Sequence, residues 1–423
     1  MDRTGKAPAA QPPADGGGQA STSGAAPPTP RASQAPPVRR RADRGRLYAA
    51  VGVVVVAAVL VGAGFTTSWF GLARSSPSAA CPSGVTLSGA GASFLSALMD
   101  QWETSYNSAT GNKINYNPSG AGAGITSFSA KEVDFAATDE PVSPSEESGF
   151  PGTTLTLPVT GGAVAMVYDL PGWSGTLELN ASTIAGIYSG AITNWDSPSL
   201  SAGGGNAGLP DQTIIPVVRS DAAGTTYVLT NYLSDGNASW STSVGTSISP
   251  TWPSGVAAER TAKGNAGMAT YVNETAYTLG YVDLADAISH SHLGLAGVEN
   301  PKGAYIVPNV TNTQSAINDL AGQAIPAATG DWSSVSWVDA LGAGDFPLAT
   351  LSYFLVLQDP GLGYEPSSAN TTVLIQWLTW VVQDGQSYAK SLYYVEPPTS
   401  VLQQDLNALS TVNYNGATVP ACS

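Results

Sequence analysis

The chain has 423 residues, of which 43% are hydrophobic, and this is enough for a membrane segment and two folded lobes. Residues 1–46 carry eight of the 16 basic side chains, whereas the chain from residue 81 onward carries seven basic and 28 acidic ones, a formal charge of −21. This acidic excess excludes a basic surface of the kind that binds nucleic acid. An anion site in this region must therefore use backbone donors and one or two well-placed cations.

The N-terminal 80 residues differ in composition from the rest. Residues 1–46 are rich in Pro, Ala, Gly and Ser and have almost no large apolar side chains, so we expect a disordered cytoplasmic tail. Residues 47–70 form an uncharged run of 24 residues, long enough to span a bilayer as a transmembrane anchor. The basic residues before it predict a single-pass cell-membrane protein with an extracellular C-terminal domain, joined by a tether at residues 71–84. A signal peptide cleaved at Ala79-Ala80 is the alternative.

The two cysteines, Cys81 and Cys422, stand at either end of the expected folded region. In an oxidising compartment, one disulfide between them would tie these ends together. A lipid on Cys81 is the other interpretation, although the preceding residues 78–80 lack the large aliphatic residue expected before a lipidated cysteine.

From Val85 onward, short apolar strands alternate with amphipathic helices, which indicates an α/β fold. The pattern predicts strands at residues 85–87, 113–116, 133–137, 161–168 and 212–218, and helices at residues 93–110, 124–131, 226–233 and 372–382.

Three of the strand-to-helix turns consist largely of small residues, at positions 89–94, 119–124 and 219–226. Such turns expose backbone N–H groups at a helix N-terminus, where the helix dipole also favours negative charge. The third turn carries Arg219, whose planar guanidinium can grip a tetrahedral oxyanion with two donors. Asp139 follows the strand at residues 133–137. Together these features predict a closed site for a small oxyanion.

These segments resemble the extracytoplasmic phosphate-binding protein of the high-affinity phosphate ABC transporter. The matching segments occur in the family's order, at residues 87–94, 111–116, 133–139, 211–233, 264–267, 280–282 and 394–395. The resemblance implies a two-lobed type II periplasmic-binding-protein fold, in which phosphate lies between lobes that close by a hinge. It places lobe I at residues 85–168 and 347–423, and lobe II at residues 169–346.

The resemblance also implies a ligand-binding set, which comprises Ser93, Phe94, Ala121, Asp139, Arg219, Asp221, Ala223, Gly224 and Thr225. Asp221 would orient Arg219, and Asp139 would accept a hydrogen bond from a protonated oxyanion, which sulfate cannot offer at neutral pH. Ala121 and Ala223 stand where the family has serines, so their backbone N–H groups remain as donors without the hydroxyls. Read without the resemblance, Asp139 is a helix cap and Arg219 pairs with Asp221 at the surface.

The function implied is a monomeric solute-binding protein without a cofactor, which captures inorganic phosphate or a related protonated oxyanion for ABC permease subunits. The alternative is a membrane-tethered sensor or interaction module with weakened or altered ligand binding. An enzyme is not expected, because the sequence has no nucleophile motif, and His290 and His292 lack the Cys or acidic partners that would complete a metal site.

Overall fold

The computed structural model describes residues 81–201, 205–254 and 260–419. The predicted tail, the anchor at residues 47–70, the tether up to residue 80 and Cys422 lie outside these ranges. Within them, the helices are all too short or too polar to cross a bilayer. The anchor and the disulfide therefore stay predictions.

The strands of the described chain are Thr86–Gly91 (β1), Lys113–Asn117 (β2), Phe135–Thr138 (β3), Thr154–Tyr168 (β4), Glu178–Leu179 (β5), Ile215–Pro216 (β6), Val218–Arg219 (β7), Thr261–Ala262 (β8), Thr278–Asp283 (β9), Gly294–Leu295 (β10), Gly297–Glu299 (β11), Tyr305–Ile306 (β12), Ala349–Leu357 (β13), Asn413–Tyr414 (β14) and Ala417–Thr418 (β15).

Its α-helices are Ser96–Thr110 (α1), Ala121–Ser129 (α2), Pro144–Glu147 (α3), Ala181–Tyr188 (α4), Pro198–Ser201 (α5), Gly224–Gly236 (α6), Ala238–Ser243 (α7), Gly264–Glu274 (α8), Leu284–Ile288 (α9), Val310–Leu320 (α10), Ser368–Val382 (α11) and Thr399–Leu409 (α12). Short 3-10 helices occur at Ser93–Leu95, Pro360–Leu362, Asp384–Tyr388 and Lys390–Leu392.

Within the described residues, eight strands form the main sheet, in the order β2-β1-β3-β13-β4-β9-β6, with β10 also paired to β4. The strand β1 is parallel to β2 and β3, whereas β13 is antiparallel to both β3 and β4. Parallel neighbours place the C-terminal ends of β1 and β3 at the same edge of the sheet. The residues that follow these two strands, including Ser93 and Asp139, therefore lie close together.

The long strand β4 joins two parts of this sheet. Its residues up to Ala163 pair with β13, and its residues from Val164 onward pair with β9. The apolar run at residues 161–168 predicts only the second part of β4, whose first part contains Pro158, a residue that cannot donate to a strand ladder. In the structure a register shift opposite Ser352 and Tyr353 accommodates this proline, so pairing continues on both sides of it.

The prediction of one continuous strand at residues 212–218 is wrong. Two short strands take its place, β6 paired with β9 and β7 paired with β8. Pro216 has no N–H to donate to a ladder, and the chain changes partner just after it. The strand β7 therefore places Arg219 outside the main sheet, in the two-stranded pair with β8.

The helix α1 shows how local sequence and packing agree. Its apolar stripe buries Trp102, whose ring meets Phe354 of β13 and Trp377 of α11 edge-to-face at centroid distances of 6.3 and 6.2 Å. The helix ends at Gly111, whose φ of +75° is a left-handed conformation that glycine adopts without strain. This packing fixes the 3-10 turn that precedes α1, and with it Ser93.

Candidate functional site

Arg219 is the centre of a buried polar cluster. It is 6% exposed and, among the basic residues that the structure describes, it alone is buried. Its Nε and Nη2 donate to the two carboxylate oxygens of Asp221 at 2.9 and 2.5 Å, a bidentate pair. Burial opposes ionisation of Asp221, but the hydrogen bonds and the charge of Arg219 hold its pKa below the ordinary value. The pair is therefore charged, and Asp221 fixes the plane of the guanidinium.

The remaining guanidinium donors reach three other segments of the chain. Nη1 donates to Thr225 Oγ1 at 2.9 Å and to Asn265 Oδ1 at 2.7 Å, and Nη2 donates to Ser93 Oγ at 3.1 Å. Ser93 Oγ also accepts from the backbone N–H of Asn265 at 3.1 Å. Three separate turns thus converge on one guanidinium.

Each of these turns begins a helix, and glycine lets two of them approach closely. Thr225 is the second residue of α6 and Asn265 is the second residue of α8. Gly264, with a φ of +69°, turns the chain into α8. At Gly91, which leads to Ser93, a Cβ atom would lie 2.0 Å from the carbonyl oxygen of Ala137. Because the first N–H groups of a helix have no intrahelical acceptor and its N-terminus is positively polarised, the ends of α6 and α8 favour an anion here.

Asp139 brings a second carboxyl group to the same cluster. It is 2% exposed, and its Oδ1 accepts from the Ser352 hydroxyl at 2.5 Å. Burial raises the pKa of Asp139 to about 7, although the Ser352 hydrogen bond and the charge of Arg219 act to lower it. A Cβ atom at Gly224 would lie 2.3 Å from Asp139 Oδ2, so only glycine lets the start of α6 sit against this carboxyl.

The structure brings together six residues of the predicted set, which are Ser93, Asp139, Arg219, Asp221, Gly224 and Thr225. The other three lie at the margin. The carbonyl of Phe94 accepts from Tyr394 Oη at 2.7 Å, and Ala121 is fully buried as the first residue of α2. The N–H of Ala223 donates to the Ile248 carbonyl at 3.0 Å, so the protein itself uses that donor.

Two further residues of the cluster, Asn265 and Ser352, are not in the predicted ligand-binding set. Asn265 lies at the start of α8, where a small-residue segment leads from β8 into the helix, as in the three turns identified from the sequence. This shared composition is the sequence feature that could have identified Asn265 as a site residue. Ser352 sits inside the apolar strand β13, where a lone serine has no feature to distinguish it from a core position.

Among the described residues there is no group of three or more His, Cys, Asp or Glu side chains that could hold a metal ion. His290 Nδ1 lies 2.9 Å from Ser289 Oγ and 3.0 Å from the Asp286 carbonyl, a local arrangement at the end of α9.

The fold and this site define a substrate-binding protein of the PBP superfamily. The model of the PBP superfamily domain matches residues 76–384 of this chain. A protein of Xylella fastidiosa named phosphate-binding protein PstS is 32% identical over 339 residues, covering 78% of this chain and 86% of its own length. The PstS protein of Pasteurella multocida is 32% identical over 325 residues, covering 75% of this chain and 88% of its own length. The chain therefore belongs to the PstS family of phosphate-binding proteins.

A solved structure supports the fold independently. A high-affinity periplasmic phosphate-binding protein, PfluDING, solved with bound phosphate, has a TM-score of 0.60 at 20% identity, and the match covers 75% of this chain and 92% of that one. The predicted two-lobed α/β periplasmic-binding-protein fold is confirmed. The residue bounds of the two lobes stay a prediction.

Proposed function

We propose that this protein captures inorganic phosphate outside the cytoplasmic membrane and delivers it to the permease of an ABC transporter. The observation that carries the proposal is the buried Arg219–Asp221 pair, whose guanidinium faces hydroxyl groups from two helix N-termini. In a chain region with a charge of −21, one oriented cation and polarised helix ends provide the local attraction for an anion. The names of its PstS relatives support phosphate as that anion.

The carboxyl group of Asp139 accounts for selectivity in this proposal. Phosphate near neutral pH keeps a proton that an ionised carboxylate can accept in a hydrogen bond. Sulfate has no such proton, so it would meet the ionised form of Asp139 as a like charge. Ser352 holds one oxygen of Asp139 and leaves the other, Oδ2, on the side of Gly224 at the start of α6.

Binding exchanges hydrogen bonds around Arg219. The guanidinium contacts with Ser93 and Thr225 are replaced by contacts to phosphate oxygens, while both contacts to Asp221 remain. The hydroxyls of Ser93 and Thr225 are then free to donate to the ligand. This scheme needs no nucleophile or metal, and the protein acts as a carrier rather than a catalyst.

The proposal includes the arrangement outside the described residues. Residues 47–70 would anchor the chain in the cell membrane, with the binding domain outside as a monomer and a disulfide between Cys81 and Cys422. Protease treatment of intact cells tests this directly. We expect the binding domain to be cleaved from the cell surface while a C-terminal tag on a cytoplasmic control protein survives. Release of the whole protein into the medium would contradict anchoring.

The test of function is isothermal titration calorimetry on the purified full chain, unfolded and refolded beforehand to remove carried ligand. Phosphate and sulfate are titrated separately at neutral pH. Saturable one-to-one binding of phosphate, with sulfate at least about 100-fold weaker, supports the proposal; this is the effect of roughly one charged hydrogen bond replaced by repulsion. Folded protein that binds neither anion contradicts phosphate capture and favours the tethered sensor.

A further inference from the structure

The side chain of Asn265 is the least satisfied polar group of the Arg219 cluster. Asn265 is 0% exposed, its Oδ1 accepts from Arg219 Nη1 at 2.7 Å, and its backbone N–H donates to Ser93 Oγ at 3.1 Å. Its Nδ2 has no hydrogen-bond partner within the described residues. The side chain of Asn265 therefore contacts Arg219, its backbone contacts Ser93, and the side-chain amide still holds two unused N–H donors.

The orientation of this amide follows from its neighbours. An arginine has donors and no acceptors, so the amide oxygen must face the guanidinium and Nδ2 must face elsewhere. Leaving a buried donor unpaired costs about 1–3 kcal/mol. A folded site that tolerates this cost within hydrogen-bonding contact of a buried cation is prepared for an acceptor from a ligand.

We propose that Asn265 is a ligand-binding residue, whose Nδ2 donates to an oxygen of the bound oxyanion. This inference rests on the proposed function, since the anion it serves is the one that Arg219 binds. Asn265 adds a neutral donor, which strengthens anion binding without a second buried cation in need of a counter-charge. Its position as the second residue of α8 adds the positive end of that helix.

The first arm of the test is the phosphate affinity of two variants. Asn265→Ala removes the donor, and we expect affinity to fall about 10–100-fold, the effect of one hydrogen bond to a charged partner. Asn265→Asp keeps an acceptor for Arg219 but replaces the donor with a carboxylate, and we expect a larger loss.

The matched control is Asn206→Ala. Asn206 is also buried, at 2% exposed, but its Nδ2 is satisfied by the carbonyls of Glu178 and Leu200. We expect this variant to lose stability and to keep its phosphate affinity. A comparable loss of affinity in both alanine variants would overturn the proposal, because the effect would then come from general loosening.

The second arm uses the wild-type chain and does not depend on a variant that folds. In protein labelled with ¹⁵N-asparagine, saturation with inorganic phosphate should move the side-chain NH₂ resonances of Asn265 downfield and slow their exchange with water. If the Asn265 resonances stay in place while phosphate saturates the protein, this proposal is overturned and the proposed function is not. Absence of any phosphate binding by the wild type overturns the proposed function and this inference with it.

Discussion

Asp139 and Asp405 are two acids buried to the same degree, at 2% and 0% exposed, in opposite surroundings. Asp139 accepts a hydrogen bond from Ser352 and feels the charge of Arg219, and the pKa of its carboxyl is raised by burial to about 7. Asp405 lies on α12 between Val401 and Leu409, and neither of its oxygens has a hydrogen-bond partner in the described chain. Burial alone raises the pKa of Asp405 well above its ordinary value.

The different surroundings of the two acids show that burial and a role in binding are separate properties. Asp139 can change its charge near neutral pH because a cation and a hydroxyl offset part of its desolvation, and a ligand proton can complete the balance. Asp405 has no hydrogen-bond partner in the described chain, so burial alone favours its neutral form, and it belongs to the packing of α12. Burial therefore does not identify a site, whereas a partly compensated charge beside a buried arginine does.

Replacing Arg219, the cation beside Asp139, should have the largest effect on the binding site. Arg219→Ala removes at least two charged hydrogen bonds to the ligand and leaves Asp221 as an uncompensated anion. At about 1.5–3 kcal/mol for each bond, we expect phosphate affinity to fall at least about 100-fold. Calorimetry measures the loss, and circular dichroism shows whether the fold persists. A folded variant that keeps its affinity would mean that phosphate binds elsewhere.

Gly224 tests whether the contact between α6 and Asp139 matters. A Cβ atom there would lie 2.3 Å from Asp139 Oδ2, so Gly224→Ala must displace the carboxyl or the helix start. We expect phosphate affinity to fall about 10-fold or more, the effect of misplacing one charged hydrogen bond.

The matched control for this variant is Gly267→Ala, in α8. A Cβ atom at Gly267 would meet no atom within 4 Å, so this substitution should leave affinity unchanged. Alanine in a helix should also raise the free energy of unfolding by about 0.5–1 kcal/mol. Equal affinity in both variants would show that the approach of α6 to Asp139 is irrelevant to binding.

The sequence allowed prediction of those parts of the site that break a local pattern. Arg219 stands out because a charged residue follows an apolar strand and precedes a glycine turn, and Asp139 stands out for a similar reason. Asn265 and Ser352 follow the local pattern, as a residue near a helix start and as a strand residue. Their roles arise from tertiary contacts with Arg219 and Asp139 that the sequence does not encode locally.

The fold shows the same limit. The type and the order of β1, α1 and β2 were predictable, because hydrophobic periodicity and turn residues agree there. The length of β4 and the division between β6 and β7 were not, because both depend on how a proline is accommodated by a neighbouring strand. Pairing partners decide such cases, and they lie far away in the sequence.

Removing the charge of Asp139 should change selectivity and the pH dependence of stability together. In Asp139→Asn the ligand proton loses its charged acceptor and sulfate no longer meets a repelling charge, so we expect phosphate to weaken about 10-fold and sulfate to bind measurably. Titrations with both anions check this. Unchanged rejection of sulfate would show that Asp139 does not select the ligand.

The stability effect has a defined sign. Because the folded-state pKa of Asp139 is raised to about 7 from 3.8, the native state binds more protons than the unfolded state between these values. The stabilisation that protonation provides is complete below about pH 4 and is lost as the pH rises to about 7. The variant lacks this loss, so its free energy of unfolding relative to wild type should rise across that window and level off above it.

Asp405→Asn is the smallest change and the one that sharpens the comparison. The pKa of Asp405 is also raised, so the free energy of unfolding of the variant relative to wild type should again increase as the pH rises from about 4. Because burial alone causes the shift, this variant isolates the effect of burial from that of the charged neighbours of Asp139. Urea unfolding at several pH values measures both slopes, and phosphate affinity should stay at the wild-type value. A loss of affinity in Asp405→Asn would link α12 to the binding site and remove the distinction between the two acids.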